Sequence, residues 1–516
     1  MPMLYPIGIQ TFEEIRTKGF VYVDKTDFVF KIVSEGKYYF LSRPRRFGKS
    51  LLISTFEDYF KGQKDLFQGL TIASKEKDWT AYPVLRIDMA AGKYRNSPSA
   101  LDSKLKTILE GWEAEYGITS IAEEFSDRLI NVINSAYSST GKQVIILIDE
   151  YDKPILDNID IVEVADKMRD TLKSFYGVLK PMDKFIRFGF ITGVTKLGKM
   201  SIFSDLNNLE DISMDRCYST ICGITSEEID RYFTEEVAHM AKVNGYTFED
   251  CRTKLTTMYD GYKFHPLAEG VFNPHSLLQA LKKKEFGSYW FETGTPTFLV
   301  RYLQNSNANL NDLTNEGVDS SILTGTSYKN IYPVTLLFQS GYLTLSSFGH
   351  TEEEYILKYP NKEVEDGFFK SLKELYTPIM TAPSKFSVNF FRKDLETGNA
   401  ELFMTRLQSF YADLPYEVQP SVEASFQNTM LILCKLMGQN VDVERRTSNG
   451  RVDVLIQTEK FVYIIELKRD KDPNDALDQI KEKGYDFPFK ADGRKVFKIG
   501  ANFSTRERRL ESWIIQ

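Results

Sequence analysis

The stretch Tyr38–Phe56, YYFLSRPRRFGKSLLISTF, runs from an apolar segment through three arginines to Gly48, Lys49 and Ser50, then into a helical pattern. A phosphate cradle needs inward-pointing backbone N–H groups, a helix N-terminus, a lysine for the β and γ oxygens of a nucleoside triphosphate, and a hydroxyl for its magnesium ion. Gly48, Lys49 and Ser50 supply the second half of that set, flanked by Arg45, Arg46, Phe47 and Leu51. The usual GxxxxGK[ST] pattern places its first glycine at position 43, where this chain has Arg43. A solvated basic turn would look the same over so few residues. A second signal favours the cradle: VIILIDE ends an apolar strand in Asp149 and Glu150, an aspartate to hold magnesium and a glutamate to polarise the attacking water. Two acids at the end of a buried strand are costly unless paired or metal-bound. Further on, FIRFGFITGVTKLGK repeats the strand-then-polar design. It places Thr192 or Thr195 as a γ-phosphate sensor between the other two strands, or as a turn-forming threonine. Lys196, Lys199 and Arg216 are candidates for a charge finger, or simply solvated cations.

The tail holds a second set, in GRVDVLIQTEKFVYIIELKRD. Pairing across the QTEK turn with Ile456 opposite Phe461 sets Asp453 opposite Ile464 and leaves Glu466 two residues further along on the same face. Diagonal neighbours of this kind have Cα atoms roughly 7 to 8 Å apart, within reach of one shared cation. Asp453 and Glu466 would hold magnesium with the help of a backbone carbonyl, and the metal would activate water and screen a scissile phosphate. Lys468, on that face, would orient the water or steady the phosphorus. Glu423 shares an apolar stripe with Phe426, Met430, Cys434 and Met437. It should therefore face inward, towards a metal or a lysine. Gln479 shares the face of Ala476 and Ile480, and Tyr485 is a further candidate.

Such residues need particular elements to position them. From Tyr38 to about Thr220 the runs YYFLS, YPVLRIDMA, QVIILIDE, KFIRFGFITG and RCYSTICGI read as strands between longer helical segments. Several are apolar almost throughout, which predicts an α/β layer with a mostly parallel sheet and helices on both faces. From about Ser226 to Lys385 the pattern is helix-rich and broken by Pro and Gly, as in an accessory or lid region. From about Phe386 two helical stretches precede strands at QNVDVERR, RVDVLIQ and KFVYIIELKR and a further helix, predicting a second α/β domain. The expected division is 1–225, 226–385 and 386–516.

At 516 residues the chain exceeds one core, since domains usually hold about 100 to 200 residues. A composition of 42% hydrophobic and 27% charged residues supplies that core without disulfide or metal staples. The net charge of -7 argues against a surface blanketed in positive charge and leaves room for one basic groove, so charge alone neither supports nor excludes DNA. Cys217, Cys222, Cys251 and Cys434 lack zinc-site spacing and read as reduced thiols of a cytoplasmic protein. His239, His265, His275 and His350 likewise lack metal-ligand spacing. The start has no basic-then-apolar leader pattern, and no run approaches the roughly 18 apolar residues of a membrane span. The expectation is no export and no membrane partner.

Together YVDKT, SRPRRFGKSLLISTFEDYF, ILIDEYDKPI, ITGVTKLGKMSIFSDLNNLEDI, YDGYKF, GTPTFLV and LFQSGYLTL resemble, through nearly the whole chain, the bacterial AAA-ATPase-like family whose members commonly carry a C-terminal PD-(D/E)XK nuclease domain. The resemblance makes RPRRFGKS a family variant of the cradle. It implies an N-terminal P-loop ATPase domain, a helical, winged-helix-like middle region and a restriction-endonuclease-like α/β domain. Asp453, Glu466 and Lys468 match its D…ExK spacing, and in nucleases of this type a glutamine such as Gln479 faces the site. The implied catalytic set is Glu150, Asp453, Glu466, Lys468, Glu423 and Gln479. ATP contacts fall to Arg45, Arg46, Phe47, Gly48, Lys49, Ser50, Leu51, Asp149 and Thr192, and Mg2+ falls to Ser50 with Asp149 and to Asp453 with Glu466. By the same resemblance Tyr22–Thr26 lines the base end of the nucleotide pocket, although YVDKT also reads as a helix start capped by Asp24 or Thr26.

The function so expected is that of a cytoplasmic ATPase fused to a magnesium-dependent nuclease acting on nucleic acid, DNA above all, with nucleotide-gated activity. The alternative is a nucleotide-switched signalling ATPase whose tail binds nucleic acid or protein without cutting. A third is an ATP-independent nuclease with a decayed front half. AAA-type ATPases often form homo-oligomeric rings, and nothing in the sequence fixes that here.

Overall fold

The computed structural model describes residues 3–119, 122–204, 206–292, 299, 310, 312–315, 317–325, 327, 329, 331–351, 353–376, 388–413, 423–437, 440–447, 450–504, 506–507 and 509–516, with the backbone alone at 200, 292, 312, 315, 373–376, 423–427 and 440–447. The chain divides into two compact units, Met1–Gly294 with Gly317–Glu363, and Thr295–Glu316 with Val364–Gln516.

The first unit is built on β1 (Tyr38–Ser42), β2 (Val84–Asp88), β3 (Val144–Asp149), β4 (Ile186–Gly193) and β5 (Glu210–Asp211). Their order is β2-β3-β4-β1-β5, and every pairing is parallel. Parallel neighbours need long crossovers, supplied by helices such as Lys49–Phe60, Phe125–Thr140 and Val162–Gly177. β1 and β3 are buried along their whole length, which is why their sequences are apolar without alternation. β4 lies between them, so the site is assembled from three strand ends. The helix that begins at Lys49 is fixed on the sheet by Phe56 against Phe190 (ring centroids 4.7 Å apart) and by Phe60 against Phe188 (5.1 Å).

RCYSTICGI is not the fifth strand. Arg216–Tyr218 forms a single 3-10 turn, begun by the Asp215 carboxylate accepting from Cys217 N at 2.7 Å, and only Ile224 makes a bridge, to Phe272. Tyr218, Ile221, Cys222 and Ile224 are buried, so the run is apolar because it packs, not because it joins a ladder. The two-residue edge strand β5 is too short to leave a periodic signal.

In the same unit, helices Ser226–Tyr232, Thr234–Asn244, Phe248–Tyr259 and Pro274–Lys283 gather around Ile229, Phe233, Met240, Leu255 and Leu277. Thr225 and Glu228 start the first of them with a reciprocal capping box. This helix-rich stretch also contains a small antiparallel sheet of β6 (Gly317–Asp319), β7 (Thr344–Phe348) and β8 (Glu354–Lys358), in the order β6-β8-β7. Two of its motifs brace the glycine-lysine loop. Phe47 meets Tyr262 and Phe264 edge-on, at 4.7 and 5.7 Å between centroids. Pro44 rests against Gly341, where an added Cβ would lie 2.6 Å from the proline ring.

The second unit holds β9 (Asn440–Thr447), β10 (Gly450–Gln457), β11 (Phe461–Arg469), β12 (Lys495–Ser504) and β13 (Arg509–Ile515), in the order β13-β12-β11-β10-β9. Only β11 and β12 pair in parallel. The crossover between them is helix Pro473–Lys483, whose Leu477 and Ile480 pack with Leu455, Val462 and Ile464. That packing sets Gln479 over the sheet.

Gly341 combines a φ of 91° with the contact on Pro44. Gly341→Val should therefore destabilise the first unit by about 1–3 kcal/mol, seen as a lower urea midpoint; an unchanged midpoint would contradict the brace.

Candidate functional site

Gly48 is the N-cap of helix Lys49–Phe60, with a φ of 87°. The first N–H groups of that helix have no partner within it, and Ser50 and Leu51 are half-buried on its first turn. Lys49 is 5% exposed, and its Nζ donates to the carbonyls of Arg43 at 2.9 Å and Pro44 at 3.0 Å. Burial lowers its pKa, against the pull of Glu150, Asp149 and Asp152. Arg43 occupies the usual glycine position at no conformational cost, because the left-handed positions of the loop are Arg46 (φ 67°) and Gly48. Its guanidinium turns away from the loop. It donates to Ser42 O, Ser213 O and Tyr218 O at 2.9, 2.7 and 3.0 Å and lies 3.8 Å from the centre of the Phe264 ring. Burial brings its pKa down to about 10. Arg45 is half-buried and Arg46 exposed.

Across β4 stands Asp149, 1% exposed. Its Oδ1 accepts from the Thr192 hydroxyl at 2.6 Å, while its Oδ2 is buried without a hydrogen-bond partner. Glu150 follows with a φ of 53°, a conformation few non-glycine residues adopt. Burial raises its pKa, with Lys49 and Arg45 opposing and Asp149 and Asp152 reinforcing the rise. Of the two threonines, Thr192 is the one that meets Asp149. Thr195 belongs to the fully buried Asp152, donating from N at 2.6 Å and Oγ1 at 2.8 Å. Sequence reasoning passes over Asp152, whose place three residues past Asp149 in the same polar run could have marked it. Nothing in the sequence marks Trp290, whose indole N–H donates to Arg45 O at 3.0 Å.

At the second site the register differs from the expected one by two residues. Gln457 pairs with Val462, Ile456 with Tyr463, Leu455 with Ile464 and Val454 with Ile465. The turn is tighter than QTEK suggests. Thr458 N donates to Phe461 O at 2.9 Å, and Phe461 N donates to the Thr458 hydroxyl at 3.0 Å. Asp453 and Glu466 each lie one residue beyond the last ladder pair, Val454 and Ile465, so Asp453 stands beside Glu466 and not across from Ile464. They are 8% and 2% exposed. Leu467 N donates to Asp453 Oδ2 at 2.7 Å, and Asp453 N to Glu466 Oε2 at 3.4 Å. The Gln479 amide donates to Glu466 Oε1 and its carbonyl oxygen accepts from Lys468 Nζ at 2.5 Å. That ammonium lies 3.9 Å from Glu466 Oε1. Tyr485 is buried with Val452, Leu455 and Leu477, beside Gln479, and donates to Arg451 O at 2.9 Å. Glu423 opens helix Glu423–Leu436, and its side chain lies outside the described residues, as does that of Phe426. Met430, Cys434 and Met437 of the same stripe are buried. Among the described residues no three His, Cys, Asp or Glu side chains group as metal ligands, so the described centre is a carboxylate pair with a lysine and an amide.

Residues 6–203 match the family model described as "Predicted AAA-ATPase", and residues 421–513 match that of the PD-(D/E)XK nuclease superfamily. A protein of Azotobacter chroococcum mcd 1, described as "Uncharacterized protein in vnfD 5'region", is 35% identical over 522 residues, covering 99% of this chain and 98% of its own length. The chain belongs to the AAA-ATPase-like family with a C-terminal PD-(D/E)XK nuclease superfamily domain. Lys49, Asp149, Glu150 and Thr192 fall within the first matched segment, and Asp453, Glu466, Lys468 and Gln479 within the second.

In this AAA-ATPase-like unit the YVDKT segment leads into a helix. Asp24 Oδ1 accepts from Thr26 N and Oγ1 at 2.9 and 2.6 Å, at the start of helix Thr26–Glu35. Tyr22, Val23 and Lys25 also line an apolar cleft with Gly48, Leu51 and Cys222. The lysine candidates for a charge finger are engaged elsewhere. Lys196 and Lys199 bind Asp211 Oδ2 at 2.9 and 2.6 Å, and Arg216 is exposed on its 3-10 turn. Only a folded chain brings the β5 carboxylate to those lysines.

Burial alone would raise the Asp211 carboxyl, but Lys196 and Lys199 outweigh it and hold the group below the ordinary carboxylate range. A carboxyl depressed on folding contributes stability that is complete above its unfolded pKa and is lost as pH falls through the folded one. Asp211→Asn should thus lower stability at neutral pH and flatten the decline below about pH 4 in a pH series of urea unfolding. Parallel acid limbs in parent and variant would remove the ion pairs from the account.

Proposed function

We propose that the chain binds and hydrolyses ATP with Mg2+ at the first site, and that the second site is a Mg2+-dependent nuclease acting on DNA under control of the bound nucleotide. The main support is the buried, unpartnered Asp149 Oδ2 at strand ends shared with Lys49 and Thr192, an acceptor of the hard-oxygen kind that magnesium requires. Ser50 and Asp149 would hold the ion there, and Asp453 and Glu466 would hold it at the second site. Magnesium, when bound, neutralises phosphate charge at the first site and generates a nucleophilic water at the second.

The chain's own residues do the rest. Lys49 exchanges the carbonyls of Arg43 and Pro44 for phosphate oxygens, and the first-turn N–H groups cradle the phosphates. Glu150, its pKa raised by burial, accepts the proton of the attacking water, and Thr192 holds Asp149 in place. In the nuclease domain Gln479 holds Lys468 beside Glu466, so that the ammonium faces the phosphate. Four free cysteines suit a reducing cytoplasm, and no helix among the described residues is long and apolar enough to cross a membrane.

Glu150→Gln should keep nucleotide binding and lose about 100- to 10,000-fold in ATP turnover. Because the folded-state pKa is raised, the acid limb of kcat/KM in the parent should turn above the ordinary glutamate value of about 4.3. Asp453→Ala and Glu466→Ala should each abolish Mg2+-dependent cutting of plasmid DNA, and Lys49→Ala should alter cutting as well as hydrolysis. Wild-type protein that retains DNA uncut would point to the rival, a nucleotide-switched binding module.

A further inference from the structure

Trp290 joins the phosphate loop to a second place in the first unit through two hydrogen bonds of its own. Its indole Nε1–H donates to Arg45 O at 3.0 Å, and its backbone N–H donates to Glu363 Oε1 at 2.7 Å. Trp290 is 6% and Glu363 1% exposed, so neither bond can be replaced by water without opening the packing. The ring also meets Tyr342 edge-on at 5.2 Å, beside the Gly341 that supports Pro44. Glu363 is the second residue of helix Lys362–Tyr376. The division between the units falls immediately after it, at Val364. The side chain that holds the loop is thus bonded, through its own backbone, to the first turn of the helix by which the chain passes from one unit into the other.

We propose that Trp290 is a positioning residue that transmits the nucleotide state of the loop to helix Lys362–Tyr376. This rests on the reading of the loop as an ATP site. Lys49 in this structure donates to the carbonyls of Arg43 and Pro44, the two residues preceding Arg45. A bound triphosphate draws that ammonium away, and the peptide groups from Arg43 to Arg45 must re-aim. The Arg45 carbonyl is restrained by the indole, so its displacement is passed to a rigid side chain with one donor at its far end and no acceptor. The backbone N–H of the same residue then acts on Glu363.

The test is amide hydrogen exchange of the full-length protein with and without ADP or a non-hydrolysable ATP analogue plus Mg2+, read on peptides covering 362–376. In the parent, nucleotide should change exchange there. Trp290→Phe keeps the ring packing and removes only the indole donor, so the change should be lost while the nucleotide-induced thermal shift persists. Glu363→Met, lacking the acceptor, should behave alike, and Glu363→Gln, retaining a carbonyl oxygen, should restore the change. The same nucleotide-dependent exchange in parent, Trp290→Phe and Glu363→Met would overturn the proposal and leave the ATP site standing. So would a thermal shift in the parent with no change at 362–376. No thermal shift in the parent would overturn both.

Discussion

A carboxylate can be taken out of water only if something replaces the water, and Asp149 meets half of that requirement. One oxygen has the Thr192 hydroxyl; the other is enclosed with no hydrogen-bond partner. The surrounding architecture makes sense as the means of keeping it so. β4 must lie between β1 and β3 for Thr192 to reach Asp149 while Lys49 enters from the far side. The helix behind Lys49 must be pinned to β4 by Phe56 and Phe60. Position 150 must take a left-handed backbone so that its carboxyl stays half-buried beside the same lysine.

The loop shows how this chain does without a glycine at position 43. Arg43 is tolerated because the turn is made later, at Arg46 and Gly48, and its guanidinium satisfies the carbonyls of Ser42, Ser213 and Tyr218. The stiffness a glycine-rich loop lacks is imported from more distant parts of the same unit, through Phe47 on Tyr262 and Phe264, Pro44 on Gly341, and the Arg45 carbonyl on Trp290. Motifs far apart in the chain, YDGYKF and LFQSGYLTL, are thereby explained as parts of one support.

The nuclease-like centre solves a related problem with different means. Two buried acids stand opposite each other, which is unfavourable alone, and the protein answers with a backbone N–H from Leu467, an amide from Gln479 and the nearby Lys468 ammonium. Gln479 touches both an acid and the lysine, and it is placed by the crossover that the parallel β11–β12 pairing requires.

Much of this was legible before any folding was considered. Apolar runs at Tyr38, Val144 and Ile186 declared buried parallel strands, because strands covered on both faces have no polar side to show. The period of two along β10 and β11 placed Asp453, Glu466 and Lys468 on one face, and the register found keeps them there because a shift of two residues preserves parity. What periodicity could not say was that Asp453 stands beside Glu466 itself, because a threonine hydroxyl closes the turn earlier than the run of residues suggests. Nor could it say that Lys196 and Lys199 are held by Asp211, that Arg43 bonds the carbonyls of Ser213 and Tyr218, or that RCYSTICGI packs as a turn and pairs only through one bridge at Ile224. Face and period are properties of neighbouring residues, and they are written in the chain. The partner of a long cation, the end of a hairpin and the burial of an edge depend on groups that only the closed fold brings together.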